Sequence, residues 1–317
     1  MNYQTLGSTG TKVSELCFGT WRFGLEAEDG TVETTREEAH DLLDAAWDYG
    51  INFIDTANGY GGGQSERWIG EWLDDYEREN VVIASKVYWT MESQFDENLS
   101  RKNVRAEIEG TLNRLNTDYI DLYYIHRWDD ETPIRETLRT LTCLIEEGKV
   151  NYLGASSMAA WKLTKALWTS DVDGLERFEV TQPRFNAAYR DPVREFLDVC
   201  TDQNLAVCPY SPLEGGFLTG KYDRDADAPE GSRGDLHSWE GFSEEQWAVL
   251  DEIQSVADDL DATPAQVSLR WLSQQESFSC IPIVGARTTE QLTDNAGAAK
   301  IELSSDQYER IESAYED

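Results

Sequence analysis

Positive charge is scarce in this chain. Only 27 Lys and Arg stand against 61 Asp and Glu in 317 residues, a formal net charge of −34. Nucleic acid and anionic bilayers are held through Lys and Arg, so neither is an expected partner. No stretch of about 18 apolar residues occurs, and the opening MNYQTLGSTGTKVSEL has neither the basic nor the apolar segment of a signal peptide. The expected setting is the cytoplasm, without membrane insertion. Cys17, Cys143, Cys200, Cys208 and Cys280 are odd in number, scattered and free of any CxxC pair, which argues against a disulfide framework and a zinc site. We read them as reduced core residues and expect no metal.

Acid is what the chain has in abundance, and it is distributed, as in residues 26–29, 223–227 and 258–261. Self-repulsion of that size opposes a compact state until salt screens it, with a Debye length of about 3 Å near 1 M. A high-salt cytoplasm, and folding that needs salt, are the expectations.

Short runs rich in Val, Ile, Phe and Tyr alternate with helical patterns along the whole chain. Two strand-like pieces around the turn at residues 7–10, TLG and KVSEL, predict a hairpin ahead of a first barrel strand at 16–20. INFIDTA, VVIASKV, DYIDLYYIH, VNYLGAS, FEVTQPRF, LAVCPYS and FSCIPIVG continue the strand series. Helices are expected at about 36–49, 65–73, 100–115, 133–147, 159–168, 192–203 and 264–273, the first and fourth stopped by Gly50 and Gly148. Eight strands with intervening helices imply parallel pairing and right-handed crossovers, and the count favours a closed α/β fold, a (β/α)8 TIM barrel with an N-terminal β-hairpin. Residues 1–317 are read as one such domain, a reasonable length for a barrel with insertions. A Gly- and Asp-rich stretch at about 223–241 and a helical pattern at 243–260 are inserted between strands 7 and 8, where an insertion can lie over the active face.

Two glycine motifs need testing before any cofactor is considered. GYGGGQ at 59–64 follows a strand but has Gln64 where the dinucleotide fingerprint needs a third glycine, so a Rossmann site is not supported. GGFLTGKY at 215–222 matches G-x-x-x-x-G-K but has Tyr222 where a hydroxyl would hold Mg²⁺. It reads as a glycine loop whose amides approach a phosphate.

Asp55, Tyr60, Lys86 and His126 each lie at or just past the end of a different run, and barrel chemistry is assembled on the face those ends share. Singly, each has a plain alternative: Asp55 and Lys86 a structural ion pair, His126 a satisfied core histidine, Tyr60 a packing aromatic. Jointly, NFIDTANGYGGGQSE, VVIASKV and YIDLYYIHRWD resemble the signature stretches of the aldo-keto reductase superfamily. The resemblance runs from LGSTGTKVSELCFGT to PIVGARTTEQLTDN and is nearest in flavour to the branch of potassium-channel β subunits and bacterial oxidoreductases.

That resemblance implies an extended nicotinamide cofactor and a catalytic tetrad of Asp55, Tyr60, Lys86 and His126. Tyr60 would be the general acid, Lys86 held by Asp55 would lower the pKa of Tyr60, and His126 would orient a carbonyl oxygen. Around the nicotinamide it implies Gly19, Thr20, Trp21, Ser156, Ser157, Gln182 and a stacking Tyr210. Along the pyrophosphate come Ser211, Leu213, Gly215 and Lys221, and at the adenosine end Gly285, Arg287, Gln291 and Asn295. Arg287 opposite a 2′-phosphate favours NADP(H), with NAD(H) second. Ser157 departs from a frequent Asn, and Asp294 from a frequent Glu. Trp21, Trp89 and Trp128, with the 223–241 insertion, are the expected wall of the substrate pocket. An aldehyde, ketone or open-chain sugar is the expected small-molecule carbonyl substrate, and monomer or homo-oligomer is left open. The alternative from another class is a redox-sensing cofactor-binding partner of a membrane protein with incidental turnover.

Overall fold

A computed structural model describes residues 1–27, 30–91, 97–224, 226–229 and 241–315. Most of the 223–241 insertion, and Glu28 and Asp29 of one acidic run, lie outside the described residues. The hairpin is β1 (Tyr3–Thr5) paired antiparallel with β2 (Lys12–Ser14). It is followed by the eight parallel strands β3 (Cys17–Gly19), β4 (Phe53–Asp55), β5 (Val82–Val87), β6 (Ile120–Ile125), β7 (Val150–Ser156), β8 (Phe178–Gln182), β9 (Ala206–Val207) and β10 (Ile283–Val284). Their order is β10-β3-β4-β5-β6-β7-β8-β9. A parallel bridge between Val207 and Cys280, with Val207 N donating to Ser279 O at 2.8 Å and Ile283 N to Pro209 O at 3.0 Å, joins the two ends. The sheet is thereby curled into a TIM-barrel-like ring, in agreement with the sequence.

The last two strands are much shorter than their apolar runs. Pro209 and Pro282 interrupt the runs LAVCPYS and FSCIPIVG and carry no N–H for the ladder, and Pro183 ends β8 in the same way.

The helices pack outside: α1 (Arg36–Asp48), α2 (Gln64–Leu73), α3 (Arg101–Arg114), α4 (Ile134–Glu146), α5 (Ala160–Asp173), α6 (Arg194–Asp202), α7 (Glu244–Leu260), α8 (Pro264–Ser273), α9 (Thr289–Gly297) and α10 (Ser305–Ser313). Local chemistry sets their ends. Ser100 caps α3 through Asn103 N, and Ser243 and Gln246 form a reciprocal capping box on α7. Gly50 and Gly148, the expected helix stops, adopt φ of 82° and 74°. Helix α7 confirms the insertion between the seventh and eighth barrel strands. Helices α9 and α10 were not anticipated, although Ser304 and Gln307 form a capping box at the start of α10.

Side-chain alternation positions the site. In β5, Val82, Ala84 and Lys86 point one way and Ile83, Ser85 and Val87 the other. The inner set joins Leu6 and Val13 of the hairpin, Phe53, Leu122, Tyr124, Val180 and Ile281 in one buried cluster that fills the barrel. The outer set, with Ile54, Tyr123 and Ile125, joins the core between the strands and the helices. The same period of two carries Asp55, Lys86 and Gln182 to the inner side at the C-terminal ends of β4, β5 and β8.

Candidate functional site

Lys86 is completely buried and uses all three ammonium protons. Its Nζ donates to Asp55 Oδ1 at 2.5 Å, to Thr56 O at 2.8 Å and to Tyr60 Oη at 3.1 Å. Burial opposes the charge, but Asp55 and Tyr60 more than offset it and hold the ammonium above the usual lysine range. Gln182 Nε2 donates to the other Asp55 oxygen at 2.8 Å. Burial of the Tyr60 phenol raises its pKa, with Lys86 only partly opposing, so the net shift is upward rather than the expected downward one.

Tyr60 opens a turn in which Gly61, Gly62 and Gly63 all have positive φ. A Cβ on Gly61 would lie 2.2 Å from Phe23 O, so glycine lets the Tyr60 turn close against the segment after β3. His126 begins where β6 ends, its N–H bonded to Val87 O at 2.9 Å. Its ring stands edge-on to Tyr60, centroids 5.8 Å apart, and to Trp89 at 4.5 Å. Burial, then Lys86 and Arg127, push its pKa down to about 2, so the imidazole is neutral. Its Nδ1 is buried and makes no hydrogen bond among the described residues.

Above these side chains opens a cleft of about 1740 Å³. Asp55, Tyr60 and His126 line it, while Lys86 lies beneath Tyr60. Gly19, Trp21, Ser156, Ser157, Gln182, Tyr210, Ser211, Leu213, Gly215, Lys221, Gly285, Arg287, Gln291 and Asn295 line it as well, as the sequence led us to expect, and so does Trp89. Two expected residues are not there. Thr20 is fully buried, its hydroxyl bonded to Asp55 O at 3.0 Å and Ser65 Oγ at 2.7 Å, which makes it a brace between β4 and α2. Trp128 packs on Trp161, centroids 6.4 Å apart, with Lys162 and Lys165 over its face, outside the cleft.

The cleft also suits a long, anionic cofactor. It is larger than the roughly 300–1,000 Å³ of a pocket for a drug-sized ligand, and it runs from Tyr60 to the start of α9. Between them lies a turn with Ser211, Glu214, Gly215 and Gly216 all at positive φ, beside Lys221. A Cβ on Gly216 would come 2.7 Å from Lys221 Nζ, so glycine there admits the ammonium to the loop. Glu214, nearly buried, fixes this turn through an ion pair with Arg184 and a hydrogen bond from Asn186 Nδ2 at 2.5 Å. At the far end Gln291 Oε1 accepts from Arg287 N at 2.9 Å, and Thr263 and Gln266 hold the Asp294 carboxylate at 2.9 and 2.8 Å.

Sequence reasoning missed a second buried polar layer behind the cleft. Glu66 is fully buried and accepts from Ser85 Oγ at 2.5 Å and Arg114 Nε at 2.7 Å. Glu107 accepts from Asn58 Nδ2 at 2.8 Å and from Met91 N at 3.0 Å, and Asn58 Nδ2 also donates to Trp89 O at 2.7 Å. This layer pins the strand-to-helix connection that carries Trp89 and Met91 into the cleft wall. The signal was available: on α3, Glu107 shares the inward face with Val104, Ile108 and Thr111.

Comparisons with known proteins agree with this arrangement. Residues 15–316 match the aldo/keto reductase family. Norsolorinic acid reductase B of Aspergillus parasiticus is 36% identical over 96% of this chain and 81% of its own length. An aryl-alcohol dehydrogenase of Pestalotiopsis microspora is 34% identical over 98% of this chain and 80% of its own. A probable voltage-gated potassium channel β subunit of Arabidopsis thaliana is 33% identical over 95% and 92%. With a match of this extent, and a TIM-barrel-like ring that gathers Asp55, Tyr60, Lys86 and His126 at its C-terminal end, the chain belongs to the aldo/keto reductase family of oxidoreductases.

Proposed function

We propose that this protein reduces aldehyde or ketone carbonyls to alcohols with a nicotinamide cofactor, and that Tyr60 is the general acid. The observation that carries the reading is the direction of one hydrogen bond. Lys86 donates to Tyr60 Oη at 3.1 Å, so the phenol keeps its own proton for an acceptor in the cleft. As that proton leaves for the carbonyl oxygen, negative charge grows on Oη directly against the buried ammonium, where a low dielectric makes the stabilisation strong. Asp55 holds Lys86 in place and balances its charge. His126, neutral and beside Tyr60, offers a ring N–H to the carbonyl oxygen. A reduced nicotinamide bound in the cleft supplies the hydride.

Tyr210 and Ser156, Ser157 and Gln182 are the residues to hold the nicotinamide end, with Ser211, Leu213, Gly215 and Lys221 along the pyrophosphate. Gly285, Arg287, Gln291 and Asn295 take the adenosine end, where the Arg287 guanidinium supports NADP over NAD. Trp21 and Trp89 form the substrate wall. Five free thiols, four of them buried, suit a reducing cytoplasm, and among the described acids only Glu15, Asp55, Glu66, Glu107, Asp129 and Glu214 are buried, which supports an acidic surface adapted to salt.

The test is oxidation of NADPH and NADH at 340 nm in molar KCl across aldehydes, ketones and sugars, with Tyr60→Phe and Arg287→Ala alongside. Tyr60→Phe is expected to abolish carbonyl reduction while cofactor binding by fluorescence persists, and Arg287→Ala to narrow the preference for NADPH. Turnover that survives Tyr60→Phe would exclude this mechanism. Tight cofactor binding with no turnover in the parent would point instead to a cofactor-sensing partner protein.

A further inference from the structure

We propose that the outer face of α5 is where two copies of this chain pair, antiparallel, as a symmetric dimer. Five large apolar side chains stand exposed among the described residues, and three of them share this helix: Trp161 at 60%, Trp168 at 67% and Val172 at 63%. The inward face of α5 is already used by Leu163, Ala166, Leu167 and Ser170. The outward one is an apolar stripe without a described covering element. Its upper end is fixed rather than loose, since Trp161 rests on Trp128 and Lys162 lies over both rings at 5.5 and 5.4 Å.

Charge says which partner fits. Two copies at −34 repel wherever acid faces acid, and the acid is unevenly placed. Helix α7 has six acids and no base, and α1 has one Arg against Glu37, Glu38, Asp41, Asp44 and Asp48. On α5 Lys162 and Lys165 balance Asp171 and Asp173, and on its neighbour α4 Arg135 and Arg139 balance Glu136 and Glu146. Along α4 and α5 a second, equally acidic copy therefore meets less repulsion than along α1 or α7.

The stripe is also self-complementary. Trp161, Lys165, Trp168 and Val172 are spaced 4, 3 and 4, a heptad seam confined to roughly 60° of the helix surface. With a two-fold axis level with residues 166 and 167, Trp161 meets the partner's Val172, and Lys165, which stands 5.9 Å over Trp128 in the single chain, turns to the partner's Trp168, a cation over an indole face. One tryptophan offers roughly 150–250 Å². At the exposures seen here, two from each copy supply several hundred Å², the larger part of the ~1,000 Å² that marks a specific interface.

Light scattering on a sizing column, in molar KCl and at micromolar concentration, tests the pairing. The expected parent mass is twice 36.0 kDa, with Trp168→Glu halving it, leaving carbonyl reduction and the far-UV circular dichroism intact and lowering the melting temperature only by the lost association. Val172→Glu, one turn further along the seam at its C-terminal end, is expected to do the same and covers the case in which Trp168→Glu fails to fold. Trp168→Phe is expected to keep the dimer. A larger assembly supports the pairing only if both Glu variants halve its mass. A monomeric parent, or a parent mass that neither Glu variant changes, overturns it.

Discussion

Gln182 Nε2 donates to Asp55 Oδ2 at 2.8 Å, so the carboxylate that holds Lys86 on one oxygen is itself held on the other, from a strand on the far side of the barrel. Gln182→Leu leaves that buried oxygen without its donor, which costs about 1–3 kcal/mol. We expect a lower urea midpoint for the cofactor-free protein, and a lower one still for Gln182→Glu, which sets a second carboxylate against Asp55. Midpoints equal to the parent's would mean that Gln182 serves the cofactor alone.

Asn58 and Glu107 are expected to act as a unit. Each single change, Asn58→Ala or Glu107→Gln, loosens the segment bearing Trp89 and should raise KM for bulky carbonyls about tenfold, an effect near 1.4 kcal/mol, with kcat for small aldehydes little altered. Because both residues support the same backbone, the double variant should lose less stability than the two singles together, by about 1 kcal/mol. Strict additivity in a double-mutant cycle would show that they work independently.

The depressed pKa of His126 has a defined sign in stability. Unfolded, the ring takes a proton as pH falls through about 6.5, whereas in the folded protein it stays neutral until about 2. The unfolded state therefore binds more protons below 6.5, and the folded protein loses about 2 kcal/mol from this group between pH 6.5 and 5. Melting curves of the cofactor-free parent should fall more steeply over that interval than those of His126→Gln. Parallel slopes would contradict the assignment.

Salt should stabilise the whole chain. Screening reduces repulsion among acids that few bases can neutralise, so the melting temperature is expected to rise steadily from dilute buffer to molar KCl. KCl and NaCl should act alike if screening is the cause. A melt unchanged by either salt would remove the high-salt setting.

Much of this was legible in the sequence because barrel and site share one rule. Strands of alternating side chains put Asp55 and Lys86 inside, and the signature segments around them brought Tyr60 and His126 to the same end. The length of β9 and β10 was not legible, since apolar content signals burial while the prolines decide pairing. The side chains of Thr20 and Trp128 lie off the cleft for a related reason: a residue's position along a strand end says nothing of whether its side chain turns into the cleft or braces a neighbour. The layer of Glu66, Glu107 and Arg114 was missed because charges on amphipathic helices ordinarily face water, and only their place on the apolar side gave them away.

The pairing of β3 with β10 joins Cys17 to Ile283 and Phe18 to Val284. Those partners are separated by most of the chain, so the ring has a high contact order at its seam. During synthesis the first barrel strand emerges well before its partner and waits, one edge unmatched, until Ile283 and Val284 have left the ribosome. A nascent chain stalled before Ile283 can form adjacent strand pairs with their helices, but its barrel stays open, and its aggregation hazard is concentrated on that waiting edge.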